Sequence, residues 1–333
     1  RIYGYDNFEV KSTMSLLTPV RHDVERSNEY RMKLLLSERY AMNEVHSYIW
    51  YESKINKELG IVTEPNIRVI NSVTAENDTI RSTMIPSLLG FVLRNADTAP
   101  EMGMFEIGRV ADGLRTDGLC DERKRLGIVI ASKKLNEKEV YFKAKEVVEQ
   151  LVLTIKNTPP VFSVKEDLQK YNYVHPVNSA SISVKGVEIG YFSILNPKVK
   201  NRIDKKLNVA FIEIDIENLE KTKAESLRYT EVSKYPGVTI DLSLLADKAL
   251  RFENIVEYVR EYQDKANAVG KSALQSFRLT DIFEDEKLLP GKKSITVRFE
   301  FGSVERTLEG QEISAMVDEL LGILKGKGLE LRQ

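Results

Sequence analysis

Asp281 and Phe283 close one apolar stretch, and Lys292, Lys293, Arg298 and Arg306 lie on or next to the following one. An aromatic ring beside basic groups is what a stacked nucleobase with a contacted phosphate requires, and one such stack is worth roughly 1–3 kcal/mol. A charge-driven reading fails, because residues 229–333 hold 15 Lys and Arg against 18 Asp and Glu. A domain that binds nucleic acid by net charge is basic, so any such contact here has to be local, and four basic residues over a hairpin are otherwise a solvated face. Elsewhere the chain offers little for chemistry. His22, His46 and His175 are far apart, without metal-ligand spacing. They read as packed or exposed histidines, although His175-Pro176, just before a hairpin, also suits a loop contact. Gly103, Gly108 and Gly113 are too dispersed to cradle a phosphate, and no P-loop, G-x-G-x-x-G or G-x-S-x-G string occurs. Cys120 reads as an incidental thiol. Arg81 is the one charge inside a segment otherwise set for burial, as a structural arginine satisfying carbonyls or a carboxylate would be.

The elements that must position the aromatic and basic residues form a pattern of their own. Thr239 to Ala246 reads as a mostly buried strand, and Phe252, Ile255, Val256 and Val259 then share one helix face. Leu274 to Phe283 returns to strand character. Leu288-Leu289-Pro290-Gly291 predicts a turn. In Ser294 to Phe301, Ile295, Val297, Phe299 and Phe301 face one way, and Ser294, Thr296, Arg298 and Glu300 the other, as in a half-buried strand. Ile313, Met316, Val317, Leu320, Leu321 and Leu324 make a second amphipathic helix. Gly326 and Gly328 sit where it would end, and Leu329 to Arg332 closes the sheet. Strand, helix, strand, strand, helix, strand is the split βαβ, ferredoxin-like order. An open sheet of this kind is a common platform for single-stranded RNA.

The 333 residues leave room for two or three domains, and 42% hydrophobic with 30% charged residues is ordinary for a soluble globular chain. A net charge of −1 gives no global attraction to nucleic acid or membrane. A single cysteine excludes an intrachain disulfide and suits a reducing, cytoplasmic compartment. No apolar run approaches the roughly 18 residues of a membrane helix, and no signal peptide pattern is present. The chain starts at Arg1 in mid-pattern without Met, as a fragment of a longer polypeptide would. Residues 1–8 read as the tail of a preceding small domain, residues 9–225 as a first domain, 226–233 as the end of a polar linker that begins near Glu220, and 234–333 as the ferredoxin-like domain. In the first domain Ser27 is the expected cap of a helix over Asn28 to Ala41. Strands are expected over Val45 to Tyr51, Ile67 to Ile70, Met104 to Val110, Leu126 to Ala131 and Val209 to Ile216. Helices are expected over Pro86 to Arg94 and Glu137 to Ile155, and a hairpin over Ala180 to Leu195 that turns at Lys185-Gly186. Strand runs beside helix runs, without regular βαβα alternation, predict an α+β fold with a largely antiparallel sheet.

Taken in order, Tyr235-Pro236-Gly237-Val238, Asp241-Leu242, Asp281-Ile282-Phe283, Gly291-Lys292-Lys293-Ser294, Arg306-Thr307-Leu308 with Glu312, and Leu331-Arg332 closely resemble the ferredoxin-fold anticodon-binding domain that ends the β subunit of bacterial phenylalanyl-tRNA synthetase. Upstream, Asn43-Glu44-Val45 with Ser47-Tyr48, Asn71 through Arg81-Ser82-Thr83 to Pro86-Ser87-Leu88-Leu89, Asn95, Phe105-Glu106-Ile107-Gly108-Arg109, His175-Pro176 and Gly190 are similar to strings of that subunit's core. Arg1 to Asn7 looks like the end of the small domain before it. The resemblance covers essentially the whole chain.

It implies a degenerate, non-catalytic copy of the class II synthetase core, because neither the ATP-holding arginine motif nor the glycine-rich third motif is found. ATP and magnesium then belong to the holoenzyme, on a partner α subunit and upstream of Arg1, with no cofactor in this chain. The implied partners are that α subunit, in an (αβ)₂ assembly, and phenylalanine tRNA, and the implied activity is that of a phenylalanine–tRNA ligase in which this chain alone is inactive. By position Phe283 matches an aromatic residue that stacks on an anticodon base, Asp281 an acidic acceptor beside it, and Ser294 a third contact. Lys292, Lys293 and Arg298 are supporting phosphate contacts. The sequence departs from the family at Ile240, where arginine is usual, at Phe283, where tyrosine is usual, and at Glu309-Gly310, which weakens the expected helix cap. An alternative is a free-standing paralogue that serves as a protein-interaction scaffold without reading tRNA.

Overall fold

The computed structural model describes all residues except 1, 13, 21–22, 64–66, 73, 75, 165, 228, 230–232, 269–272, 286, 288–289 and 333. The chain divides into two compact units, Arg1–Leu227 and Arg228–Gln333.

The first unit holds a seven-stranded sheet between two layers of helix. Its elements are α1 (Val24–Leu34), β1 (Asn43–Glu44), α2 (Ser53–Leu59), α3 (Ile85–Asn95), β2 (Glu101–Leu114), β3 (Cys120–Ser132), α4 (Glu137–Lys156), β4 (Val161–Ser163), β5 (Val174–Val184), β6 (Val187–Leu195), α5 (Pro197–Ile203), β7 (Asn208–Asp215) and α6 (Ile216–Lys221). The strand order is β1-β2-β3-β7-β6-β5-β4. All pairs are antiparallel except β1 with β2. Central strand β7 is apolar along its length because both faces are covered. Ala210, Ile212 and Ile214 pack with Val147, Leu151 and Val152 of α4, and Val209 and Phe211 pack with Leu88, Leu89 and Val92 of α3. The β5–β6 hairpin turns at Lys185 and Gly186, whose φ values of 50° and 80° suit a tight primed turn. At Gly190 the backbone of β7 comes so near that a Cβ would run into the Glu213 carbonyl.

Several local expectations change. Asp23, not Ser27, caps α1, accepting from the Glu25 amide at 3.0 Å, while the Ser27 hydroxyl lies in the first turn and donates back to the Asp23 carbonyl. The helix begins earlier than Asn28 because Asp is as good a cap as Ser and stands four residues upstream. It continues as a π-helical turn over Leu35–Arg39. The aromatic run Val45 to Tyr51 forms no strand: β1 ends at Glu44, and only a bridge of Trp50 to Ile80 remains. Ile67 to Ile70 likewise contributes one bridge, Arg68 to Thr79. β-Branched and aromatic composition signals a half-buried surface, and here that surface is irregular backbone held to β2 at Val45 and Ser47 and to the segment before α3 at Ile49, Trp50 and Tyr51. The polar stretch from Glu220 is not all linker. Glu220 accepts from Asn28 at 2.9 Å and Lys156 at 3.3 Å, and Thr222 is buried.

The second unit is β8 (Val238–Asp247), α7 (Phe252–Ala268), β9 (Leu274–Phe283), β10 (Lys292–Phe301), α8 (Gly310–Gly326) and β11 (Glu330–Leu331), with sheet order β11-β8-β10-β9, all antiparallel. Both helices cover one face. Ile255, Val259 and Tyr262 of α7 and Leu320 and Leu324 of α8 bury against Leu242, Leu244, Ile295, Val297, Phe299 and Phe301. The alternation expected in Ser294–Phe301 is the observed one for the core face. In the β9–β10 connection, Leu288 and Leu289 lie outside the described residues, and Gly291 takes a left-handed φ of 67°. The start of α8 is better held than Glu309-Gly310 suggests. Glu312 accepts from the Glu309 amide at 2.9 Å and is gripped by the Arg306 guanidinium at 2.5 and 2.7 Å. Those donors hold its carboxyl down to about 2, from an ordinary 4.5. A depressed carboxylate contributes stability above its unfolded pKa and loses it as pH falls toward the folded one. Glu312→Gln is therefore expected to melt below the parent at pH 6, with the gap closing between about pH 4.5 and pH 2. Equal melting temperatures at pH 6 would show that the pair contributes nothing.

Candidate nucleic-acid interface

The face of the second sheet opposite α7 and α8 is open, and its composition follows from register. Residues directly opposite each other in an antiparallel sheet point to the same side. One row is Phe283 of β9, Ser294 of β10 and Leu245 of β8. The next is Asp281, Thr296 and Ser243, and the next Arg278, Arg298 and Asp241. A bulge sets this arrangement. The β9–β10 register shifts between Thr296 and Val297, which leaves Thr280 as the extra residue of β9. Phe277 stacks on Phe299 on the core side, with ring centroids 6.2 Å apart. Strict alternation from Phe277 would turn Asp281 and Phe283 inward too, and the bulge instead aims both at solvent.

Phe283 is 37% exposed, enough to receive a planar partner. Among the described residues nothing hydrogen-bonds the Asp281 carboxylate, so it is available to a donor. Ser243 and Thr296 share a hydroxyl–hydroxyl contact of 3.0 Å. Ser294 departs from the expected exposed contact. It is only 1% exposed, and its hydroxyl has no partner among the described residues. A buried hydroxyl without a partner costs about 1–3 kcal/mol, so this atom is left over by the fold. Arg298 is also not the free cation the sequence suggests. Its guanidinium makes a two-pronged contact with Asp241 at 2.7 and 2.8 Å, which holds the Asp241 carboxyl below the usual range. Lys292 is exposed, and neither it nor Lys293 has an ion pair among the described residues. One contributor escaped the sequence reading: Arg332, just past β11, places its guanidinium 5.2 Å from the Phe283 ring centroid. Only the register, which lays β11 beside β8, could have found it.

Among the described residues the first unit has no comparable cluster. Arg81 is structural, donating to the Arg109 carbonyl at 2.9 Å, the Ser47 hydroxyl at 2.5 Å and Glu106 at 3.1 Å. The His175 ring nitrogen accepts from the Val177 and Asn178 amides and so shapes its own loop, while His46 is solvent-exposed. A cleft of about 430 Å³ is lined by Arg123, Arg125, Lys170 and Lys221 but also by Asp112, Asp167, Glu188, Glu213 and Asp215. Arg125 there is already bound by Asp112 at 2.8 Å and Glu213 at 3.3 Å. Positive and negative side chains are thus mixed along this cleft. Among the described residues no three His, Cys, Asp or Glu side chains group as metal ligands, and no helix is long and apolar enough to cross a membrane.

Comparison with known proteins agrees with this division. Residues 16–216 match the family model described as the phenylalanyl-tRNA synthetase beta chain CLM domain, and residues 233–332 match the ferredoxin-fold anticodon binding domain. Among similar curated proteins are phenylalanine–tRNA ligase beta subunits of Carboxydothermus hydrogenoformans (27% identical over 345 residues, all of this chain and 42% of the relative), Campylobacter jejuni (29% over 339 residues, all of this chain and 41% of the relative) and Aquifex aeolicus (27% over 336 residues, all of this chain and 40% of the relative). The chain thus spans about two fifths of the length of these relatives. With a core model covering most of the first unit and an anticodon-domain model covering nearly all of the second, the chain belongs to the phenylalanyl-tRNA synthetase beta chain family.

Proposed function

We propose that this chain is the tRNA-reading and scaffolding portion of a phenylalanine–tRNA ligase, inactive by itself, whose second unit binds the anticodon of phenylalanine tRNA. The observation that carries the reading is the open face of the second sheet, where the bulge at Thr280 presents an exposed Phe283 ring and an unengaged Asp281 carboxylate side by side. A ring offers a base its π-face, and a carboxylate accepts from base amino or imino groups, which are the two components of single-strand recognition. Lys292 and Lys293 at the sheet's end serve as phosphate contacts. The first unit is a degenerate class II synthetase core that packs against the α subunit in an (αβ)₂ assembly in the cytoplasm. ATP and magnesium act on the α subunit.

The test uses the complete β subunit together with its α subunit. Deleting residues 232–333 is expected to weaken tRNA binding and lower aminoacylation, while ATP–pyrophosphate exchange with phenylalanine continues. Unchanged tRNA binding and aminoacylation after the deletion would remove the anticodon role.

A further inference from the structure

Arg332 lies on the far side of the sheet from the ring it touches. Its amide donates to the Ser243 carbonyl at 2.8 Å, which keeps it in line beside β8. Phe283 ends β9, at the opposite edge, with β8 and β10 between. Neighbouring strands lie about 4.8 Å apart, so the arginine and the ring lean toward each other over the open face, which brings the guanidinium 5.2 Å from the ring centroid. Arg332 is thus held beside Ser243, in the row of Thr296, and Phe283 lies in the next row, with Ser294. The Ser294 hydroxyl, in the same row as Phe283, is buried on this otherwise open face.

Two arginines of this unit are held by carboxylates, Arg298 by Asp241 and Arg306 by Glu312. Arg332 has no carboxylate partner among the described residues. A cation on an exposed aromatic face is weakly held. We propose that Arg332 is a movable cover of the base-binding site. In the free chain it occupies the face of Phe283 and shields Ser294. An incoming base takes the ring face, the guanidinium transfers to the nucleotide's phosphate, and the Ser294 hydroxyl is uncovered as a hydrogen-bonding group. The inference rests on the anticodon-domain reading above. It adds a residue that sets access to the site and supplies a charged contact once the site is filled.

Two measurements on residues 1–333 test it. First, tRNA affinity is followed against salt concentration. Arg332→Ala is expected to bind phenylalanine tRNA roughly tenfold more weakly, as loss of one charge-assisted contact implies. Its log–log salt slope should fall by about 0.7, the value for one single-strand phosphate. Arg332→Lys keeps the slope. Unchanged or tighter binding by Arg332→Ala, or an unchanged slope, overturns the transfer to phosphate. Second, in a Trp50→Phe, Phe283→Trp background the indole at position 283 should be quenched more strongly by acrylamide once Arg332→Ala is added, without tRNA present. Equal quenching overturns the covered resting state. Phe283→Ala separates the two levels: if it too leaves tRNA binding unchanged, the reading of this face as the base-binding site has failed, whereas weak binding by Phe283→Ala with normal binding by Arg332→Ala sinks the arginine's phosphate contact alone.

Discussion

Arg81→Met is expected to destabilise the first unit by about 3–5 kcal/mol, the usual cost of removing one partner from a buried ion pair. Arg81 and Glu106 are each only 3% exposed and sit 3.1 Å apart. The same guanidinium also satisfies the Arg109 carbonyl and the Ser47 hydroxyl. Methionine fills a similar volume but leaves the Glu106 charge with Ser47 as its remaining donor, at 2.6 Å, and leaves the Arg109 carbonyl without this partner. The only tryptophan in the chain, Trp50, bridges to Ile80, next to Arg81, and stacks on Tyr48. Its fluorescence therefore reports unfolding of this unit alone. The double variant Arg81→Met, Glu106→Leu should recover much of the loss, because no uncompensated charge remains. A denaturation shift worth under about 1 kcal/mol for Arg81→Met would mean that Glu106 is neutralised or hydrated once its partner is gone, and that the pair does not hold β2 to the loop that carries Arg81.

Much of this architecture is legible in the sequence where burial follows a simple period. Ser294 to Phe301 alternates because one face meets α7 and α8, and the Lys185-Gly186 turn is legible because only a few residue types accept a positive φ. Arg81 is legible as structural because a charge within an apolar segment needs partners. What is missed depends on contacts distant in sequence. The run Val45 to Tyr51 has strand composition but no strand neighbour beyond the Trp50 bridge. Arg298 looks like a free cation until β8 brings Asp241 beside it. The bulge at Thr280 has no glycine or proline to announce it, yet it decides whether Asp281 and Phe283 face the core or the solvent. The family resemblance points to those two residues and to Ser294. It does not anticipate that the Ser294 hydroxyl is buried or that the Arg332 guanidinium meets the Phe283 ring.

Phe283→Ala is expected to weaken binding of phenylalanine tRNA by about 1–3 kcal/mol, the range for loss of one base–aromatic stack, with the fold intact. The fold should survive because the ring is on the open face, 37% exposed and outside the cluster that buries α7 and α8. Most of the loss should appear in the dissociation rate, since a stack forms after encounter and carries no charge to steer it. The salt dependence of binding should stay near that of the parent. Phe283→Tyr keeps the ring and should bind like the parent. Lys292→Ala should behave in the opposite way to Phe283→Ala, with a smaller loss and a reduced salt slope, because a phosphate contact releases counterions and a stack does not. These two signatures separate a ring that holds a base from a basic turn that merely attracts RNA. Normal tRNA affinity in Phe283→Ala, alongside a reduced salt slope in Lys292→Ala, would move the interface off the sheet face and onto the β9–β10 turn.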